Sequence, residues 1–160
     1  MNTFKAMRTT RTAQQTLTGS PGDIFPLLCP VREYDWIEHW ACEMVYTASG
    51  FAEPDCIFTT GFPDPGGRDT WVVSRHEPPV RIEFIRTNSL RIMRYAITLA
   101  DLAPGLTRAR WQQTITATCE EGNEHIRTLT AEAFAEQVAT LETLLNHYLQ
   151  TGRMFRGQQG

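Results

Sequence analysis

Residues 131–151, AEAFAEQVATLETLLNHYLQT, carry Phe134, Val138, Leu141, Leu145 and Tyr148 at spacings of four, three, four and three. Side chains three and four apart share one face of an α-helix, so the stretch predicts one long amphipathic helix. Thr130 can cap its start, Glu132 suits its positive end, and Gly152 followed by Arg153 fits its stop. The seam is too short for a coiled-coil rod, and a sheet elsewhere in the chain needs a cover.

That sheet is legible upstream. From Cys42 to Cys119 the hydrophobic period is mostly two. Strand-like runs at 42–49, 55–60, 69–76, 80–86, 90–100 and 106–119 are separated by short stretches rich in turn residues. Those stretches include GFPDPGG at 61–67, Glu77-Pro78-Pro79, Asn88-Ser89, 101–105, and Glu120-Glu121-Gly122-Asn123. Ahead of them, the threonine-rich 9–18 reads as a first strand. Ser20-Pro21-Gly22-Asp23 then opens a short helix, and Pro30 opens a second through Trp36. The expected class is α+β: a curved seven-stranded antiparallel sheet, two short helices after the first strand, and one long C-terminal helix packed over a cavity. Residues 1–160 form one domain in this reading, with 1–8 and 153–160 as flexible tails.

Composition narrows the chemistry. The chain has 160 residues, 41% hydrophobic and 21% charged, with a net charge of -3. Lys5 is the only lysine and lies near the N-terminus, which disfavours Schiff-base mechanisms. Gly-Lys-Ser/Thr is absent, so there is no P-loop. No export signal and no bilayer-length apolar run are visible, so a cytoplasmic location is expected, with Cys29, Cys42, Cys56 and Cys119 as reduced thiols. A metal site from Cys29, His39, Cys42 and Cys56 lacks paired half-sites, so neither metal nor cofactor is expected. The arginines at 81, 86, 91, 94, 108 and 110 suggest an outer cationic stripe. A pI near 5.8 nonetheless argues against nucleic acid as a partner.

The order of elements, with CPVREYDWIEHW at 29–40, CIFTTGF at 56–62 and TWVVSRHEP at 70–78, resembles the START-like or SRPBCC superfamily. That group includes polyketide cyclases, lipid-transfer domains and the birch-pollen allergen, and the similar members are uncharacterised bacterial ones. The resemblance covers nearly the whole chain. It implies a helix-grip fold with a cavity between sheet and helix, entered near Trp36 and Trp40.

Strand alternation then assigns an interior. Trp71, Val73 and Arg75 point inward, as do Met93, Tyr95, Ile97 and Leu99. So do Ala109, Trp111, Gln113 and Ile115; Val80, Ile82 and Phe84; Cys42, Met44 and Tyr46; and Phe58. A slip of one residue would invert any of these strands. The expected ligand-binding set is Trp36, Trp40, Tyr46, Phe58, Trp71, Arg75, Phe84, Tyr95, Trp111, Leu141, Leu145 and Tyr148. A dry void of ~300 Å³ would cost ~7 kcal/mol, so a real chamber has to be wetted or occupied.

Arg75 is the expected polar group of the chamber, with Glu33 or Glu43 as partner, because an unpaired buried guanidinium is costly. Arg75, Tyr95 and His39 are the candidate catalytic groups. Asp35 and Glu38 complete the acid–base list, while His76 is expected to face out at a strand end. No serine sits in a GxSxG elbow.

Three functions fit. The first is binding of a small hydrophobic or amphipathic molecule: a lipid, polyketide or aromatic metabolite. The second is a cyclase or aromatase using an Arg/Tyr-lined pocket, without metal or covalent nucleophile. The third is a co-chaperone-like interaction module whose chamber is packed shut. A homodimer is compatible with each.

Overall fold

A computed structural model describes residues 3–157. Met1, Asn2 and 158–160, the outer parts of the expected tails, lie outside the described residues. Seven strands form one antiparallel sheet in the order β1-β7-β6-β5-β4-β3-β2. They are β1 (Arg8–Thr18), β2 (Glu43–Tyr46), β3 (Ile57–Thr60), β4 (Asp69–Glu77), β5 (Arg81–Thr87), β6 (Arg91–Ala103) and β7 (Leu106–Ala117). Every neighbour except β1 is the next strand in the chain, so the sheet is a meander whose first strand closes against its last.

Two short helices, α1 (Pro21–Ile24) and α2 (Pro30–Glu33), flank a 3-10 turn at Phe25–Leu28. Ser20 caps α1 by accepting from the Asp23 N–H, and Pro21 stands where no N–H is needed. The second helix ends three residues earlier than the sequence suggests, with Tyr34–Trp36 continuing as turns.

The long helix, α4 (Ala131–Thr151), begins and ends where its periodicity places it. Thr130 accepts from the Ala133 N–H, and Gly152 closes the helix at φ 72°, a left-handed conformation cheap only for glycine. Phe134, Val138 and Leu145 are buried beneath it. Polar contacts fasten the helix to β1: Gln15 Nε2 donates to the Val138 carbonyl at 2.8 Å. Glu142 and Asn146 accept from the backbone N–H groups of Thr16 and Thr18.

One element is new. Residues 120–123 are no turn but the first residues of α3 (Glu120–Thr128). Gly and Asn resemble turn residues, yet here both serve packing. The Asn123 side chain accepts from the Met7 N–H and donates to the Lys5 carbonyl. It thereby ties down residues 5–7, which the sequence reading left in a tail. At the other end Phe155 packs edge-on against His147, with ring centroids 5.2 Å apart.

Two corrections concern phase. A register shift between Met44 and Tyr46 turns Tyr46 outward, 64% exposed. Another between Val73 and Arg75 adds a residue to β4. Past that bulge the faces exchange: Arg75 goes to solvent beside Glu77, and His76 turns in against Phe25. Val80, expected inside, is exposed because β5 starts only after the Pro78-Pro79 pair.

A Cβ at Gly122 would overlap the Leu90 carbonyl oxygen, a backbone atom that cannot swing aside. Gly122→Ala should therefore cost about 1–3 kcal/mol in urea unfolding, although alanine is the better helix former.

Candidate functional site

The inner face of the sheet, the short helices, α3 and α4 enclose a cavity of about 470 Å³. Eight aromatic side chains line it: Trp36, Trp40, Phe58, Phe62, Trp71, Phe84, Tyr95 and Trp111. Alternation along β3 to β7 puts most of these rings on one face, and adjacent strands bring them into contact. Phe58 stacks on Trp71 at 5.2 Å, Phe84 meets Trp71 edge-on at 5.7 Å, and Tyr95 meets Trp111 edge-on at 5.8 Å. Trp36 and Trp40 are anchored by donating to the Leu27 and Pro30 carbonyls at 2.8 and 2.9 Å. Their rings are therefore fixed from outside the sheet.

Of the residues expected to contact a ligand, Trp36, Trp40, Phe58, Trp71, Phe84, Tyr95, Trp111 and Leu141 come together around this cavity. Leu145 does not, because it is wholly buried in the core. Tyr148 packs on the outside of that core, and Tyr46 and Arg75 stand on the outer face. Glu33 and Glu43 are not partners of Arg75, which pairs with Glu77, while Glu43 pairs with Arg68. His39 has a φ of 66° and an 84% exposed side chain, held near Glu38 rather than over the cavity.

The polar groups of the cavity are others. Asp69 sits at the start of β4, 3% exposed, and binds Arg86 Nη2 through Oδ2 and Arg91 Nη1 through Oδ1, each at 2.8 Å. Arg86 also reaches Asp64 at 3.3 Å and lies over Trp71, its guanidinium carbon 4.4 Å from the ring centroid. These arginines were expected in an outer stripe. They point inward because Arg86 continues the period of Ile82 and Phe84, and Arg91 precedes Met93 and Tyr95 by the same period. Asp69 stands likewise two before Trp71. The signal was present in the alternation, but charge obscured it.

Glu33, at the end of α2, also lines the cavity. No ion pair or hydrogen bond reaches its carboxyl among the described residues, and burial alone pushes its pKa up to about 8. Its charge acts on Tyr95, whose hydroxyl is itself raised by burial, and on Cys42. Burial and the nearby charge of Arg91 lower His125, which lines the chamber from α3. The indole N–H of Trp111 is buried without a hydrogen-bond partner among the described residues. No group of three or more His, Cys, Asp or Glu side chains among the described residues could hold a metal ion. No helix described is long and apolar enough to cross a membrane.

These charges predict the effects of three substitutions. Asp69→Ala leaves Arg91 buried without a counter-ion and Arg86 with Asp64 alone, and should cost about 3–5 kcal/mol in chemical denaturation. Arg75→Ala, which breaks only an exposed pair, should cost ~1 kcal/mol or less. For Glu33 the folded state holds its proton more tightly than the unfolded chain does. Its contribution is complete below the ordinary carboxylate range and is lost as pH rises toward about 8. Between pH 5 and pH 8, Glu33→Gln should gain stability relative to the native chain by up to ~1.4 kcal/mol per pH unit, measured by parallel denaturant titrations.

No family model matches the chain, and no curated protein matches it. Solved structures do. Mll3558 from Rhizobium loti superposes with a TM-score of 0.60 at 16% identity, covering 89% of this chain and 100% of that one. CalU16 from Micromonospora echinospora gives 0.55 at 10% identity, over 92% and 90% of the two chains. Norcoclaurine synthase from Thalictrum flavum, in complex with dopamine and hydroxybenzaldehyde, gives 0.63 at 10% identity over 89% of each. Identities this low speak for the fold alone. The chain shares the helix-grip fold of these structures, its sheet curved around one long C-terminal helix.

Proposed function

We propose that this protein binds a small amphipathic, ring-bearing molecule in the chamber between the sheet and α4. The observation that carries the reading is the cavity of about 470 Å³ itself, walled by aromatic rings. Kept dry, a void of that size would cost about 11 kcal/mol, within the whole stability range of an ordinary domain. The wall is not uniformly apolar, however: Glu33, Gln113, Gln137 and His125 also line it. Such a surface suits water or a guest with both ring and polar parts. Norcoclaurine synthase, with the same fold, holds two small aromatic molecules. That supports the reading by analogy of fold, which is weaker than the chamber.

A second reading, a cyclase-type enzyme, is favoured by one pair of groups. A carboxyl with a pKa near 8 beside a buried tyrosine can give or take a proton at neutral pH. Catalysis would then come from orientation and proton transfer by Glu33 and Tyr95, since Arg75 stands outside the chamber. An interaction module would have its chamber packed shut, which a cavity of about 470 Å³ does not favour.

Thermal denaturation against a panel of aromatic and amphipathic compounds tests binding. A guest at a hundred times its Kd should add ~2.7 kcal/mol, or about 5–10 °C in Tm. Leu141→Trp, which fills the chamber from α4, should abolish the shift. Arg75→Ala and Tyr46→Ala, on the outer face, should leave it unchanged. A panel without any shift, or shifts that survive Leu141→Trp, would count against the reading.

A further inference from the structure

Charge on the chamber wall is balanced at every place but one. Arg86 and Arg91 share Asp69, and Arg86 also reaches Asp64, so two cations face two carboxylates. The pKa of His125 is lowered by burial and by Arg91, which keeps the imidazole neutral near pH 7. Glu33 alone has no counter-ion among the described residues. Its charge acts on Tyr95 of β6 and on Cys42 in the segment before β2, neither of which is cationic. On its own helix Arg32 is taken by Asp35 at 2.8 Å.

Around this carboxyl the wall is made of indole and benzene rings, whose faces carry negative electrostatic potential. The wall already accepts one cation, since the guanidinium of Arg86 rests on Trp71. An anionic guest would find the charge of both chamber arginines already met by Asp69 and Asp64, with the buried Nε–H of each left without a partner among the described residues, while Arg75 stands outside. An uncharged apolar guest would cover the half-buried Glu33 carboxyl without giving it a partner.

We propose that the chamber selects a ring-bearing organic cation, an ammonium group on an aromatic or alicyclic body, with Glu33 as its counter-ion and the tryptophan faces as cation–π partners. The proposal rests on the reading that the chamber binds a small molecule, and it adds the sign of the charge. Without a guest, Glu33 holds its proton at pH 7. A permanent cation favours the carboxylate, so the complex forms as the proton passes to the buffer, and no other bond changes.

Isothermal titration calorimetry with benzyltrimethylammonium, its uncharged isostere neopentylbenzene, and phenylacetate tests this. The cation should bind about tenfold more tightly than the isostere at pH 8.5, and phenylacetate more weakly than both. At pH 7, comparison of phosphate and Tris buffers should show close to one proton released per cation bound. The cation's affinity should rise with pH until Glu33 is ionised, and level off above about 8. Glu33→Gln should abolish both the preference and the proton release, while Arg75→Ala, on the outer face, should leave both unchanged. Equal or tighter binding of the isostere, preference for phenylacetate, or binding of the cation without proton release overturns the proposal and leaves the binding reading intact. If none of the three binds, the proposal falls together with the reading beneath it.

Discussion

One buried carboxylate organises the polar end of the chamber. Asp69 opens β4 and holds Arg86 at the end of β5 and Arg91 at the start of β6. Three adjacent strands are thereby pinned at the same level of the sheet. Two guanidinium groups in so closed a place are tolerable only because one carboxylate serves both. The arrangement also lays Arg86 flat over Trp71, which fixes an indole that stacks with Phe58 and meets Phe84. The ring wall and the ion cluster are therefore one structure, and neither can be rearranged without the other.

Against that rigid end stands a lightly held one. Glu33 ends a helix of four residues and lines the chamber with no ion-pair partner among the described residues. A half-buried carboxyl desolvated in this way stays protonated unless something positive approaches it. The two ends thus differ in kind: one has its charges satisfied by neighbouring strands, whereas the other can still respond to what enters. Perturbed groups of this sort are also found in structural networks, but Glu33 belongs to no such network.

The helix α4 closes the space and is coupled to β1 by the side chains of Gln15, Glu142 and Asn146. Strand β1 in turn pairs with β7, whose Trp111 and Gln113 line the chamber. A change in the seating of the helix therefore has a short mechanical route to the wall. The third helix adds a contribution from the opposite side, because Asn123 fastens the chain before β1 while His125 and the following Leu129 reach the chamber.

The long helix, the sheet and the identity of most wall rings follow from local periodicity, which needs no knowledge of neighbours. A repeat of three and four in 131–151 and a repeat of two through 69–117 can be produced only by those two backbone forms. Trp36 and Trp40 were placed by the resemblance in the short connecting segment, and the cavity lies there. What alternation could not show is where it breaks. A single inserted residue in β4 sent Arg75 to solvent and brought His76 inward, and another in β2 exposed Tyr46. Such bulges depend on how a strand twists against its partners, so they have no signature in their own residues. The same holds for Arg86, Arg91 and Asp69, whose inward phase was readable but whose charge argued for solvent. Only the folded sheet, by setting both arginines beside one carboxylate, makes their burial affordable. It was likewise tertiary structure, placing α2 at the chamber wall, that left Glu33 without an ion-pair partner among the described residues.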